Sequence, residues 1–80
     1  MKTIFDPRYV RLIDHLKRRR KDLGFTQAAV AQKMHRSRTW VNKLEQRERR
    51  LDVLEASMLC EIYLLPYSAI VDILVDIQRP

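Results

Sequence analysis

Polar side chains of varied chemistry recur between residues 38 and 46 at a spacing that places them on one face of a helix. At about 100° per residue, that face holds Arg38, Thr39, Asn42, Lys43 and Gln46. An arginine can donate two hydrogen bonds to a guanine edge, an asparagine can bond an adenine edge, and a threonine methyl can contact a thymine methyl. A generic solvated helix alternates Glu and Lys. Because this face contains no acid, its chemistry suits contact with the base edges of a nucleic acid.

The opposite face of the same segment is apolar. Val41 and Leu44 lie away from the five polar residues, so this side can anchor the helix to a core. An α-helix fits the major groove of B-form DNA, whereas the deep, narrow major groove of A-form RNA excludes it. The pattern therefore favours duplex DNA over duplex RNA. The alternative is an exposed basic helix that has no ligand.

Charge is divided unevenly along the chain. Residues 1–50 hold 15 Lys or Arg against five acids, and residues 51–80 hold one Arg against five acids, which together give the net charge of +6. A basic front half beside an acidic, apolar back half suits a domain that meets a polyanion on one side. The cationic run at 17–21 either contributes to that contact or is a solvated helix end.

Catalytic and metal-binding patterns are not found in the sequence. His15, His35 and Cys60 lack the spacing of metal ligands, and a single cysteine allows no intramolecular disulfide. No carboxylate pair, glycine-rich phosphate loop or nucleophile motif is seen. We expect a protein that is not an enzyme and that uses no metal, cofactor or small-molecule ligand.

Targeting signals are also missing from the sequence pattern. Residues 1–5 are too few for an apolar leader, and the apolar runs are shorter than a membrane span. These features predict a soluble, cytoplasmic protein with no membrane partner, which associates with the nucleoid when it binds DNA.

Caps and helix breakers predict five helices with tight connections. The residues that can cap the first four helices are Asp6, Thr26, Ser37 and Asp52. Gly24 ends the first helix and Pro66 ends the fourth. The helices are expected at about 7–23, 27–34, 38–47, 53–65 and 67–77. Eighty residues suffice for one core, so we predict a single all-α domain over residues 1–80 with its core at about 7–77.

The segment LGFTQAAVAQKMHRSRTWVNKLEQRERRLDVLE resembles the Cro/CI-type (XRE-like) helix-turn-helix family of DNA-binding regulators. Its marks are Thr26–Gln27 opening helix 2, Ala31 within it, Ser37 opening helix 3 and Glu45 near the end of helix 3. The resemblance covers about residues 16–74. It implies a five-helix, lambda-repressor-like fold, with the helix-turn-helix at about 26–46 and helix 3 as the recognition helix.

The resemblance also implies roles for individual residues. The positions that match base contacts are Arg38, Thr39, Asn42 and Lys43. Gln27 matches a phosphate contact that also braces the start of helix 3, and Gln46 matches a second phosphate contact. The family pattern pairs Arg20 with Glu45, which ties helix 1 to helix 3.

Three residues depart from the family pattern. His35 stands where the turn usually has Gly, Arg36 replaces a residue that is usually apolar, and Arg47 stands where Gly often follows helix 3. Either the stem of Arg36 lies over the core or the turn is more open in this chain. Charge next to helix 3 adds further expected phosphate contacts, which are Arg36, Arg47, Arg49 and Arg50.

Trp40 falls between the polar and apolar faces of helix 3. It can be a half-buried packing residue, or it can lie along the DNA backbone with its indole N–H donating to a phosphate. Related sequences of this type often carry an aromatic residue here, so we expect the phosphate contact.

The last predicted helix is more apolar than an exposed element needs to be. Its residues expected to form a dimer interface are Ile70, Val71, Ile73, Leu74 and Ile77. Members of the resembled family commonly dimerise through C-terminal elements, which places two recognition helices about 34 Å apart on DNA. The alternative is that this stripe closes the core of a small domain.

These features predict a sequence-specific regulator of transcription that binds double-stranded DNA as a homodimer. A repressor that reads a palindromic operator is the simplest form of it. One alternative is an antitoxin-like or adaptor protein whose C-terminal helix binds a protein partner and which uses DNA only for autoregulation. Another is an architectural protein that binds DNA without sequence preference.

Overall fold

The computed structural model describes residues 5–76, and within them the chain forms five helices and no strand. The helices are α1 Pro7–Asp22, α2 Gln27–Met34, α3 Arg38–Glu45, α4 Val53–Ile62 and α5 Ser68–Asp76. The prediction of an all-α, five-helix fold is confirmed. Ile77, which the sequence assigned to the last helix, lies outside the described residues.

Four helices begin at the residues that the sequence selected as caps. The side chains of Thr26 and Ser37 each accept a hydrogen bond from the backbone three residues later, at 3.0 and 3.1 Å. Asp52 and Glu55 cap α4 reciprocally, because each side chain accepts from the other residue's backbone N–H, at 2.7 and 3.0 Å. Asp6 caps α1. Local side-chain chemistry therefore sets these starting points.

The first four helices also end in the same way. Two backbone N–H groups just beyond each helix donate to carbonyl oxygens of its last turns, around one residue in the left-handed conformation. The left-handed residues and their φ angles are Gly24 at 77°, His35 at 56°, Arg47 at 60° and Leu64 at 57°. At the end of α4, Leu64 N donates to Glu61 O at 3.3 Å and Leu65 N donates to Cys60 O at 2.9 Å. The helix thus ends at Ile62, earlier than the expected end at Pro66.

The core lies where the first four helices meet. Helix α1 packs against α3 and α5, while α2 packs against α3 and α4. The buried apolar residues are Leu12, Ile13, Leu16, Val30, Ala31, Met34, Trp40, Val41, Leu44, Leu59, Cys60 and Tyr63. Burial raises the pKa of the Cys60 thiol, so this cysteine is neutral and fills space in the core.

Helix α5 turns most of its apolar stripe toward the rest of the chain. Ile70, Ile73 and Leu74 are half-buried and pack against the core. These three residues therefore also stabilise the fold of a single chain, while Ile70 and Leu74 line a groove between α4 and α5. Val71 is 56% exposed and remains available at the surface.

Replacing Leu64 by glycine is expected to stabilise the domain. Its side chain is 74% exposed, whereas its backbone has a φ of 57°. A side chain in the left-handed region costs about 1–2 kcal/mol, and glycine loses about 0.5–1 kcal/mol through the entropy of the unfolded chain. We expect Leu64→Gly to be about 1 kcal/mol more stable than Leu64→Ala, which keeps the Cβ atom. Urea denaturation measures the difference, and equal stability of the two variants would contradict it.

Candidate nucleic-acid interface

Helix α3 has two sharply different faces. Val41 and Leu44 are 1% and 3% exposed and join the core. The residues expected to contact bases lie on the other side, where Arg38, Thr39 and Lys43 are exposed and Asn42 is half-buried. Gln46, which follows the helix, is also exposed. The helix therefore presents a continuous polar face from its first turn to its end.

The turn before α3 is tight despite the missing glycine. His35 adopts the left-handed conformation with φ 56° and ψ 41°. Its N–H donates to Gln32 O at 3.2 Å, and Arg36 N donates to Ala31 O at 2.9 Å. The histidine thus makes the same helix ending that glycine favours, at a cost in backbone strain. Ser37 then starts α3, so the two helices are held in a fixed relation.

Arg36 reaches back across the first turn of α3. Its guanidinium carbon lies 5.5 Å from the centroid of the Trp40 ring, and Nη2 lies 3.3 Å from Oε2 of Glu55. Of the two arrangements left open by the sequence, the arginine stem covers the core. Its side chain is 45% exposed, so the guanidinium still meets solvent.

A buried ion pair joins α1 to α3. Arg20 Nε and Nη2 donate to the two carboxylate oxygens of Glu45, at 2.6 and 3.0 Å. The side chains are only 10% and 6% exposed, and the bond to Glu45 raises the pKa of Arg20. Arg20 Nη1 also donates to Phe25 O at 2.8 Å. The bidentate pair and the bond to Phe25 therefore fix α3 against two neighbouring segments.

Gln27 connects α2 to the same network. Its Nε2 donates to Glu45 Oε1 at 3.0 Å and lies 3.4 Å from Asn42 Oδ1. This places the brace at the middle and end of α3, and not at its start as the family resemblance implied. Gln46 Nε2 also lies 3.4 Å from Asn42 Oδ1. Because that oxygen already accepts hydrogen bonds, the amide N–H groups are the part of Asn42 best placed to bond a base.

The position of Trp40 corrects the expected phosphate contact. The side chain is 8% exposed, and Nε1 is shut off from solvent without a hydrogen-bond partner among the described residues. The apolar ring extends the buried face of α3, and two arginines lie over it. In this arrangement the indole N–H cannot reach a DNA phosphate.

The basic residues after α3 fall into two groups. Arg47 has a left-handed backbone, and Arg47 and Arg50 are exposed. Arg49 is more constrained, since its guanidinium carbon lies 4.8 Å from the Trp40 ring centroid and its Nη2 lies 3.3 Å from Glu55 Oε2. Charge alone grouped Arg47, Arg49 and Arg50 together, but the side chain of Arg49 is held by two contacts whereas those of Arg47 and Arg50 are exposed.

The cationic run at 17–21 is likewise divided. Arg19 Nε donates to Tyr63 O at 2.8 Å, and Arg20 is buried in its ion pair. Arg18 and Lys21 are exposed on α1. Two of the five members of this run thus hold the fold together, two face solvent, and Lys17 is half-buried.

Two residues near α3 were not singled out for function by the sequence. Glu55 is 4% exposed and contacts both Arg36 and Arg49. Tyr9 donates through its hydroxyl to Arg49 O at 2.8 Å, and burial raises its pKa. The spacing of Asp52 and Glu55 indicates a capping box. The ion pair between Glu55 and Arg36 could not be predicted from the sequence, because the two residues lie far apart along the chain.

No metal site or membrane span is evident in the part of the chain that the structure describes. Within residues 5–76, no three His, Cys, Asp or Glu side chains lie close enough together to bind a metal. None of the described helices is long and apolar enough to cross a membrane.

The arrangement of α2 and α3, joined by a tight turn and with one polar face of α3 exposed, is that of a helix-turn-helix domain, a class that binds DNA. A family model described as a helix-turn-helix domain matches residues 11–68, and the chain belongs to that family. The match is consistent with the resemblance to Cro/CI-type regulators, and domains of this kind are typically not enzymes. No significant match was found among curated proteins or solved structures.

Removing Glu45 is expected to destabilise the whole domain. Glu45→Ala leaves the Arg20 guanidinium buried without its partner, which costs about 3–5 kcal/mol. Urea or thermal denaturation of the purified variant measures this loss.

Arg8→Ala provides the matched control, because it breaks an ion pair between Arg8 and Asp6 that faces solvent. We expect its effect to be far smaller, since exposed pairs contribute little. Similar losses in the two variants would show that the buried pair has no special role in stability.

Proposed function

We propose that this protein is a sequence-specific regulator of transcription that inserts α3 into the major groove of duplex DNA. The observation that carries the proposal is the division of α3 into a buried apolar face and an exposed face without acids. Arg38 and Thr39 lie in its first turn, where helix-turn-helix proteins contact bases. Asn42 and Lys43 extend the same face by one turn.

Phosphate contacts are proposed on both sides of this reading face. Arg47 and Arg50 follow α3 in an exposed connection, and Gln46 is exposed beside them. Gln27 lies at the start of α2, where the positive end of the helix dipole favours a phosphate. These contacts supply affinity and orientation, while α3 supplies sequence preference.

A homodimer is proposed through an apolar surface formed by Val53, Leu54, Tyr67 and Val71. These residues are 87%, 69%, 55% and 56% exposed. Val53, Tyr67 and Val71 line an apolar groove of about 380 Å³ between α4 and α5. Exposed apolar residues gathered in this way usually mark an interface. This surface overlaps the stripe proposed from the sequence, because Ile70, Val71 and Leu74 of that stripe line the same groove.

Pairing of two copies would present two α3 helices to a palindromic site, with half-sites about 34 Å apart. A repressor that blocks a promoter by occupying it, in the cytoplasm, is the simplest regulator of this kind. The same apolar surface also supports a second candidate, an antitoxin-like or adaptor protein that binds a different protein there. A stoichiometric partner that co-purifies and is lost on mutation of the surface would favour this second candidate.

Selection of bound sites from a random duplex library tests the main proposal. We expect one enriched sequence with two-fold symmetry and half-sites one helical turn apart. Recovery of no enriched sequence from a folded protein would contradict sequence-specific regulation and favour an architectural role.

Replacing Arg38 by alanine is expected to weaken binding to the selected site by about 1–3 kcal/mol and to relax preference at one base pair of each half-site. Arg50→Ala is the control, because an exposed arginine that contacts phosphate affects all duplexes alike. It should reduce the slope of log K against log salt by about 0.9. Equilibrium binding at several salt concentrations measures both, and wild-type behaviour of both variants would place the interface elsewhere.

Replacing Val71 by glutamate is expected to dissociate the proposed dimer. Burying an unpaired carboxylate in an apolar contact opposes association, and central interface residues commonly contribute more than about 1 kcal/mol, which is roughly a tenfold change in the dissociation constant. Sedimentation equilibrium measures the change. Ala28→Glu places the same charge at an exposed position of α2 and should leave association unchanged. Equal association of both variants with wild type would exclude this surface.

A further inference from the structure

Four side chains from three parts of the chain meet beside α3, and we refer to Arg36, Trp40, Arg49 and Glu55 as the Glu55 cluster. The Nη2 atoms of both arginines lie 3.3 Å from Glu55 Oε2. Their guanidinium carbons lie 5.5 and 4.8 Å from the centroid of the Trp40 ring. One carboxylate and one indole thus hold two cations that come from opposite ends of α3.

The carboxylate at the centre of the cluster is itself rigidly held. Glu55 is 4% exposed, and its Oε1 accepts the backbone N–H of Asp52 at 3.0 Å. This capping bond fixes the side chain at the start of α4. Arg49 is held further by its own Nε, which donates to Arg50 O at 3.1 Å, and by Tyr9, which donates to Arg49 O. The guanidinium positions therefore depend on bonds to parts of the structure that are already ordered.

The cluster keeps a net positive charge and remains open to solvent. Two arginines oppose one glutamate, and the arginine side chains are 45% and 34% exposed. None of the named contacts uses the Nη1 group of either arginine. Each guanidinium can donate five hydrogen bonds, so both retain donors for an anion outside the protein.

We propose that Glu55 is a positioning residue for DNA binding, which acts by holding Arg36 and Arg49 over Trp40 as a preordered pair of donors to the phosphate backbone. The inference rests on the proposed function, because it assumes that the face of α3 meets DNA. Preordering matters because long arginine side chains otherwise lose conformational freedom when they bind. The buried Trp40 is then the platform for the two cations and makes no phosphate contact of its own.

The sign of one substitution separates this role from a simple charge effect. A carboxylate next to DNA repels phosphate, so removing its charge should strengthen binding if charge alone matters. If Glu55 positions the arginines, its removal should weaken binding instead. Glu55→Gln is suited to the test, because glutamine keeps the length of the side chain and can also form the capping bond.

The experiment compares Glu55→Gln with Glu48→Gln in equilibrium binding to the selected site and to a random duplex at fixed salt. Glu48 is an exposed acid in the same connection, so the control removes the same charge. We expect Glu55→Gln to bind about tenfold more weakly on both duplexes, and Glu48→Gln to bind equally well or more tightly. Tighter binding by Glu55→Gln would overturn the proposal.

A second arm tests whether Glu55 acts through the two arginines. In a chain that carries Arg36→Ala and Arg49→Ala, the further change Glu55→Gln should alter affinity by less than about twofold, because the groups that it positions are gone. The same loss of affinity in both backgrounds would overturn the proposal, since it would show a general structural effect. Urea denaturation confirms that each variant is folded under the binding conditions.

Arg49→Lys keeps the test decisive if Glu55→Gln does not fold. Lysine retains the charge but loses the planar guanidinium that stacks on the indole and donates in two directions. Weaker binding by this variant supports the proposal, and wild-type affinity overturns it.

The two duplexes separate failure of the cluster from failure of the proposed function. If the wild-type protein binds both duplexes with equal affinity, sequence-specific regulation is overturned. The ratio of the dissociation constants of Glu55→Gln and wild type on the random duplex would still decide the role of Glu55. A folded wild-type protein that binds neither duplex would overturn both.

Discussion

The orientation of α3 depends on the ion pair between Arg20 and Glu45. A buried charge pair requires both partners in good geometry, because the cost of desolvating an unpaired charge is large. The pair therefore fixes the rotation of α3 relative to α1, and Gln27 adds a bond from α2 to the same carboxylate. With that rotation fixed, Val41 and Leu44 enter the core, and the polar side of the helix must face outward.

The arginines of this chain serve three physical roles that their identity alone does not separate. Arg19 and Arg20 bond groups within the fold. Arg36 and Arg49 lie over an indole beside a buried carboxylate, and their side chains remain partly exposed. Arg38, Arg47 and Arg50 extend into solvent. Net charge attracts a polyanion over a distance, but the pattern of constrained and free cations determines which of them can specify a site.

The connections show how a small domain can keep tight turns with few glycines. Four helices end with the same backbone arrangement, although only Gly24 is free of the steric penalty of a left-handed conformation. His35 and Leu64 accept this strain where their side chains are exposed, so no packing is lost. The strain is confined to the helix ends, and the turn between α2 and α3 retains the geometry that positions the exposed polar face of α3.

The sequence by itself determined the five helices, the capping residues of the first four and the division of α3 into two faces, because these depend on interactions within a few residues. The family resemblance supplied the pairing of Arg20 with Glu45, whose partners lie 25 residues apart. Only the tertiary structure decided that Trp40 is buried, that α5 packs its apolar stripe on α1, and that Glu55 meets Arg36 and Arg49. These outcomes depend on contacts between segments distant in the chain, and helical periodicity cannot tell which apolar face a neighbouring helix will cover.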